Sequence, residues 1–332
     1  MVSILQVEVS TACTSRCIYC PVALYSDWRR EFMDFSLFQK IVQEGREVGV
    51  EHLHLQGWGE PLLHPRFLDM LKEARRYYKV SFTTNGLLLG RVAEDVAKVG
   101  VDVVAVTFAG ATAETHNRVR VGNDFDTVLQ NLKTFVKAAK NALAKTRTVA
   151  IYMMLKNTYR ELPQFVKLMA EAGVDEVRLS NLSYIPRPDL WGLKVFSKMF
   201  EPPPDDVLAV VEAAKRVAKE VGITLFHRLY TPWEHVECPE APTSTLFIGV
   251  DGSVYPCVYL GLSTQSAERC FEERCEKAPR LAFGNIRHER LADIIRKKSY
   301  REFVYRYEIR KIETIPPEPP EACKKCYRLY WI

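Results

Sequence analysis

No stretch of this 332-residue chain approaches the ~20 consecutive apolar residues that a membrane-spanning helix requires. Its first residues, Met1-Val-Ser-Ile-Leu-Gln-Val-Glu-Val, carry neither a basic segment nor a small-residue cleavage site. An export signal is therefore not expected, and the expected location is cytoplasmic. A strong excess of charge is missing too. Lys and Arg number 46 against 41 Asp and Glu, leaving +5, which excludes an argument for nucleic acid while fitting an acidic protein partner. No segment repeats. Hydrophobic residues make up 47% and charged residues 26%, a globular composition whose length allows two domains or one barrel with an extension. Cysteine, by contrast, is abundant. Nine thiols without an export signal favour reduced, metal-binding cysteines over a disulfide scaffold.

Three of them form the run Cys13-Thr-Ser-Arg-Cys17-Ile-Tyr-Cys20, directly after the apolar segment Ile4 to Val9. Small core cysteines have no reason to gather at ligand spacing. A structural zinc site or simple ferredoxin cluster takes four ligands, and three leave one metal position open to a small molecule. Four others, Cys238, Cys257, Cys323 and Cys326, make a closed set for zinc or for an iron-sulfur cluster. Cys270 and Cys275 remain. A local disulfide, free thiols and an alternative cluster ligand are all open for them, with the structural readings favoured.

From Ile4 to about Leu182 strand and helix patterns alternate. Strands are expected at Ile4–Val9, His52–Gln56, Val80–Thr84, Val103–Thr107, Thr148–Leu155 and Glu176–Asn181. Ser36-Leu-Phe-Gln39 reads as a capping box opening a helix, and further helices are expected near 65–77, 91–99, 124–143 and 162–172. Six βα units in succession predict a parallel sheet, open or curled into a barrel, with ligands at the carboxyl ends of its strands. Strand phase puts His52, His54, Gln56, Ser81, Thr83 and Asn85 inward, a polar lining suited to a substrate cavity. After Asn181 come a proline-marked connection around Trp191 and Phe196, a helix from Asp205 and a short strand at Ile223–Phe226. A second, small metal-bearing domain is expected from Cys238.

The cysteine run resembles the CxxxCxxC loop of the radical S-adenosylmethionine (SAM) enzymes, and Gly57-Trp-Gly59-Glu60-Pro61 resembles their GGEP motif, with Trp58 as a departure. Thr83-Thr-Asn85-Gly, Val106-Thr107 and His116-Asn-Arg-Val-Arg120 extend the likeness. It implies a partial (β/α)6 TIM-like barrel with a small C-terminal iron-sulfur domain. The expected division is 1–200 core, 201–237 connecting helix and strand, and 238–332 a SPASM/Twitch-like domain. Cys13, Cys17 and Cys20 would hold a [4Fe-4S] cluster with SAM on its fourth iron. Tyr19, Gln56, Gly57, Gly59, Glu60, Asn85, Thr107 and Arg120 are the candidate SAM contacts, Glu60 for the amino group, Thr107 for the ribose and Arg120 for the carboxylate. Arg118 competes with Arg120. Cys238, Cys257, Cys323 and Cys326 would ligate a second, auxiliary [4Fe-4S] cluster.

The resemblance implies an oxidoreductase- or maturase-type enzyme. It would cleave SAM reductively to a 5'-deoxyadenosyl radical that abstracts hydrogen, with a ferredoxin or flavodoxin as electron donor. The stretch His54 to His64 and the closing Cys323-Lys-Lys-Cys326-Tyr are similar to a subgroup associated with tungsten-containing aldehyde ferredoxin oxidoreductases. A metal-cofactor substrate follows from that subgroup. A peptide or protein substrate crosslinked through a thioether or carbon–carbon bond, or a small alcohol, is the alternative. In another class stands a non-enzymatic iron-sulfur carrier or zinc-stabilised binding protein.

Overall fold

The computed structural model describes residues 2–196, 201–228 and 230–332. The core is one sheet of ten strands flanked by helices. In chain order its strands are β1 (Ile4–Val7), β2 (His52–Leu55), β3 (Lys79–Thr84), β4 (Val103–Phe108), β5 (Arg147–Met154), β6 (Glu176–Asn181), β7 (Thr224–Phe226), β8 (Thr245–Ile248), β9 (Ser253–Tyr255) and, after a separate hairpin, β12 (Gly284–Asn285). The hairpin is β10 (Glu268–Phe271) with β11 (Arg274–Lys277). The sheet order is β12-β9-β8-β1-β2-β3-β4-β5-β6-β7, and every pair from β8 to β7 is parallel.

All six expected core strands form, and the parallel run is longer than six. The short segment at Thr224–Phe226 adds beside β6, and β8, from beyond Cys238, adds beside β1. The sheet therefore continues across residue 238, while the expected boundary at 200 lies outside the described residues.

Packing explains the curl. Leu53, Leu55, Val80, Phe82, Val104 and Val106 are fully buried on the helix-facing side, each such side chain stabilising by about 1.5–3 kcal/mol. Phe82 meets Phe67 of the helix Phe67–Arg75 edge-on at 5.2 Å. The opposite phase carries the polar lining. Ser81 Oγ lies 2.7 Å from His52 Nε2 and 2.6 Å from His54 Nδ1, and His54 Nε2 lies 2.7 Å from Gln56 Oε1. Burial pushes the His54 imidazole down to about 4, so it is neutral at pH 7.

One local expectation fails. The helix Phe35–Glu47 starts after Asp34, not at Ser36, and without a side-chain cap. The Asp34 carboxylate is drawn away to Arg287, 2.7 Å distant across the chain. Ser36 therefore lies inside the first turn and not at the cap. After residue 290 the helices are Leu291–Ile294 and Lys298–Ile312. No helix among the described residues is long and apolar enough to cross a membrane.

Candidate functional site

The cysteine run leaves the carboxyl end of β1. Arg16–Cys17 then forms a two-residue antiparallel ladder with Arg120–Val121, which sets Cys17 directly opposite Arg120. The two arginines differ in their surroundings. Arg118 is exposed and reaches Glu114 at 4.0 Å, whereas Arg120 is buried and its Nε has no hydrogen-bond partner. Burial works against the Arg120 charge, but the neighbouring Cys17, Tyr19, Cys13 and Cys20 raise its pKa overall. An orphaned guanidinium N–H beside three thiols is a donor awaiting an anion.

Burial, then mutual repulsion among the thiols, raises the Cys20 pKa, and burial followed by the Glu60 charge raises that of Cys13. Thiolates so placed are favoured only when a cationic metal centre neutralises them. Tyr19 lies beside Cys17 and Arg120 and is likewise pushed upward, first by burial.

The loop after β2 lies on the end of β1 through its backbone. A Cβ at Gly57 would stand 2.3 Å from the Glu8 carboxyl, and one at Gly59 2.2 Å from the Ser10 carbonyl oxygen. Only glycine permits this approach. Glu60 is buried, and burial raises its pKa. Its carboxylate accepts from Thr84 Oγ1 at 2.6 Å, from the Asn85 N–H at 2.7 Å and from the Leu62 N–H at 3.1 Å. Three of about four acceptor positions are thus filled by the protein itself.

Asn85 reaches the cysteine loop: its amide nitrogen donates to Thr14 Oγ1 at 3.0 Å and Ser15 Oγ at 3.2 Å, and lies 3.6 Å from Cys13 Sγ. Thr107 is half-buried at the end of β4, its hydroxyl donating to the Thr84 carbonyl at 3.3 Å. Gln56 faces the barrel interior with His54.

Two residues belong to this site that the motifs did not mark, Asn123 and Glu8. Asn123 donates to the Asn85 carbonyl at 3.1 Å and pairs with His116 Nε2 at 2.7 Å. Burial, then the Arg120 charge, lowers the His116 pKa to about 4. Glu8 is fully buried. It accepts the Trp58 N–H at 2.7 Å through Oε1, its Oε2 has no partner, and burial pushes it up to about 8. A charged residue in the inward phase of an apolar strand was the one available sequence signal for it.

Cys238, Cys257, Cys323 and Cys326 line one cavity together with Glu240, Tyr259, Arg269, Tyr307 and Arg328. Burial raises the pKa of Cys238 and Cys257 and takes Cys323 up to about 12. Arg328 pairs with Glu240 at 2.7 Å and keeps a buried, unpartnered Nε. Among the described residues no three Cys, His, Asp or Glu side chains are gathered closely enough to grip a single ion. Four sulfurs on the walls of one cavity, faced by arginine, are a donor set for a larger anionic cluster. Cys270 and Cys275 stand opposite each other in the β10–β11 hairpin and form a disulfide, so they are not spare ligands. A cavity of about 930 Å³ lies elsewhere, between Lys156, Trp191, Phe271, Arg274 and Tyr327.

Residues 7–169 match the model of the radical SAM superfamily, and residues 238–327 match that of the SPASM iron-sulfur cluster-binding domain. The tungsten-containing aldehyde ferredoxin oxidoreductase cofactor-modifying protein of Pyrococcus furiosus is 29% identical over 304 residues, covering 90% of this chain and 82% of that protein. A probable GTP 3',8-cyclase of Archaeoglobus fulgidus is 25% identical over 271 residues, covering 78% and 86% respectively. Among solved structures, Streptococcus suis SuiB bound to S-adenosylmethionine superposes with a TM-score of 0.70 at 14% identity over 98% of this chain and 77% of that one. Native anSMEcpe with bound AdoMet gives 0.66 at 19% identity over 99% and 88%. Both share the fold.

Proposed function

The chain belongs to the radical SAM superfamily and carries a SPASM domain, and from that premise we propose that it cleaves SAM reductively in the maturation of a tungsten-dependent oxidoreductase or of its cofactor. Cys13, Cys17 and Cys20 would hold the SAM-binding [4Fe-4S] cluster, and Cys238, Cys257, Cys323 and Cys326 the auxiliary one. When bound, cluster and SAM supply a 5'-deoxyadenosyl radical that takes a hydrogen atom from the substrate.

The protein's own part is to bind and to orient. The observation that carries the assignment is Arg120, buried opposite Cys17 with an unpartnered N–H. It is the group that would receive the SAM carboxylate. Glu60 contributes its charge and one remaining acceptor position toward the amino group, while its other bonds fix the Thr84–Asn85 turn. Asn85 steadies the cysteine loop, and Thr107 stands at the strand end where a ribose hydroxyl would be met. Neutral His54 and the amide of Gln56 line the interior as hydrogen-bonding groups for a polar substrate. The identity to the Pyrococcus protein supports the tungsten reading. The cyclase relatives support a second one, in which a purine nucleotide is the substrate.

Anaerobically reconstituted protein given dithionite and SAM is expected to release 5'-deoxyadenosine; none, with iron bound, would overturn the enzyme reading. Adding the pterin cofactor extracted from a tungsten oxidoreductase should raise that release above background. A rise with GTP alone would favour the second reading. Ferredoxin or flavodoxin should replace dithionite as the donor.

A further inference from the structure

Between the two cysteine sites lies a block of aromatic side chains, and Trp58 is at its centre. Gly57 and Gly59 press the loop backbone onto β1, so Trp58 carries the only side chain between them, and it leaves on the side away from β1. Its backbone N–H is held by Glu8 at 2.7 Å. Its indole N–H donates to the Val258 carbonyl at 3.1 Å, and Val258 is the residue after Cys257. The indole meets Trp28, Tyr184 and Tyr259 edge-on, with ring centroids 6.4, 5.4 and 5.8 Å away.

Each end of this block touches a cysteine site. Cys13 and Cys20 pack against it. Tyr259 lines the four-cysteine cavity and pairs its hydroxyl with Ser183 Oγ at 2.8 Å. Other bonds tie the same two segments further out: Asp27 accepts from Thr264 Oγ1 at 2.5 Å and from the Gln265 N–H at 2.9 Å. Neither of those bonds reaches the residues beside Cys257. The Trp58 indole joins the turn that follows Cys257, by a hydrogen bond, to the block on which Cys13 and Cys20 pack.

We infer that Trp58 is a positioning residue for the auxiliary site, fixing the Cys257 turn at a set distance and orientation from Cys13 and Cys20. This inference rests on both sites holding iron-sulfur clusters. An indole suits the task because it is rigid, large and apolar and still offers one directed donor. Without that donor the Val258 carbonyl, in the residue after Cys257, keeps only the local Gly261 N–H at 3.3 Å, and the turn loses its tie to the Trp58 loop. Coupling between two metal centres falls steeply with their separation, so the spacing itself is a functional quantity.

The test uses the full chain with both sites reconstituted, comparing Trp58→Phe, Trp58→Gly and Trp28→Phe with the unaltered protein. Three readouts are taken: magnetic coupling between the reduced clusters, the midpoint potential of the auxiliary cluster, and iron release to a chelator. Trp58→Phe keeps an aromatic ring, though a smaller one, and loses the hydrogen bond, a change that Trp28→Phe reproduces in the same block. It should shift the auxiliary potential and speed iron release from that site about fivefold, the effect of one hydrogen bond, with melting temperature little changed. Trp58→Gly should weaken the coupling as well and speed release more than about tenfold. Trp28→Phe, which loses only its own bond to the Thr11 carbonyl, should leave coupling and potential alone. Unaltered coupling, potential and release in both Trp58 variants would overturn the inference. If Trp58→Gly does not fold, Trp58→Phe decides the matter through the potential. Iron at only one site in the unaltered protein would overturn the cluster reading, and the inference with it, before any variant is made.

Discussion

Cys13, Cys17 and Cys20 lie on one turn of chain, while Cys238, Cys257, Cys323 and Cys326 are brought together from distant segments around a cavity. Both sets are cysteines largely withdrawn from solvent, yet their surroundings differ. Around the three-cysteine site the polar groups are unfinished: Arg120 Nε has no partner, and Glu60 keeps an acceptor position. Around the four-cysteine site Arg328 also keeps an unpartnered Nε, but its guanidinium bonds Glu240. Arg269 donates to the Ala322 carbonyl at 3.3 Å and the Lys324 carbonyl at 2.7 Å, clasping the closing Cys323–Cys326 turn. The contrast lies in what the arginines hold: Arg328 and Arg269 bind protein groups beside the four cysteines, while Arg120 stands opposite Cys17.

The largest expected effect separates the sites outright. Replacing Cys13, Cys17 and Cys20 together by Ala should abolish 5'-deoxyadenosine release and lower iron from about eight to about four per chain, the content of one [4Fe-4S] cluster. Equal loss at both sites, read by iron analysis, would mean they are not independent.

Next comes the choice of arginine. Arg120→Ala removes one partner of a buried charge pair and should weaken SAM binding by about 2–5 kcal/mol. Arg118→Ala, exposed beside Glu114, should change it by less than about 1 kcal/mol. Calorimetric titration of SAM checks both, and equal effects would remove Arg120 from the carboxylate site.

The third effect is a pH dependence arising between the sites. The folded-state pKa of Glu8 is raised from 4.5 to about 8, chiefly by burial. Between those values the folded protein keeps a proton that the unfolded chain has released, so stability is full below about 4.5 and falls as pH rises toward about 8. The slope is at most about 1.4 kcal/mol per pH unit. Glu8→Gln keeps an acceptor for the Trp58 N–H and should flatten that slope in denaturant titrations across the window.

The smallest concerns the hairpin beside the closed site. Cys270→Ser with Cys275→Ser opens a very short loop and should cost about 2 kcal/mol or less. It should not lower iron content, since these sulfurs are bonded to each other. A loss of iron would make them ligands after all.

Much of the fold was readable because its signals are local. Alternation in His52–Leu55 and Lys79–Thr84 fixes which face each residue takes, and the spacing of Cys13, Cys17 and Cys20 marks a ligand set without any knowledge of the fold. The reading failed at Ser36, where the helix already runs from Phe35 after Asp34, whose carboxylate pairs with Arg287 instead of capping. It was incomplete where residues act through one another. Asn123 and His116 support Asn85 by hydrogen bonds across 38 and 7 positions, contacts that no pattern along the chain announces.

Chemistry carried by neighbouring residues, the three thiols, the glycine-flanked Glu60 and the polar phase of the strands, is written in the order of the chain. Only the folded chain sets Arg120, and not Arg118, opposite Cys17, since that depends on a two-residue ladder closing there. It also extends the parallel run to β7 and β8, and places Trp58 against the turn after Cys257. Each of these joins segments far apart in sequence, and burial and pairing at such distances are set by how the whole sheet curls.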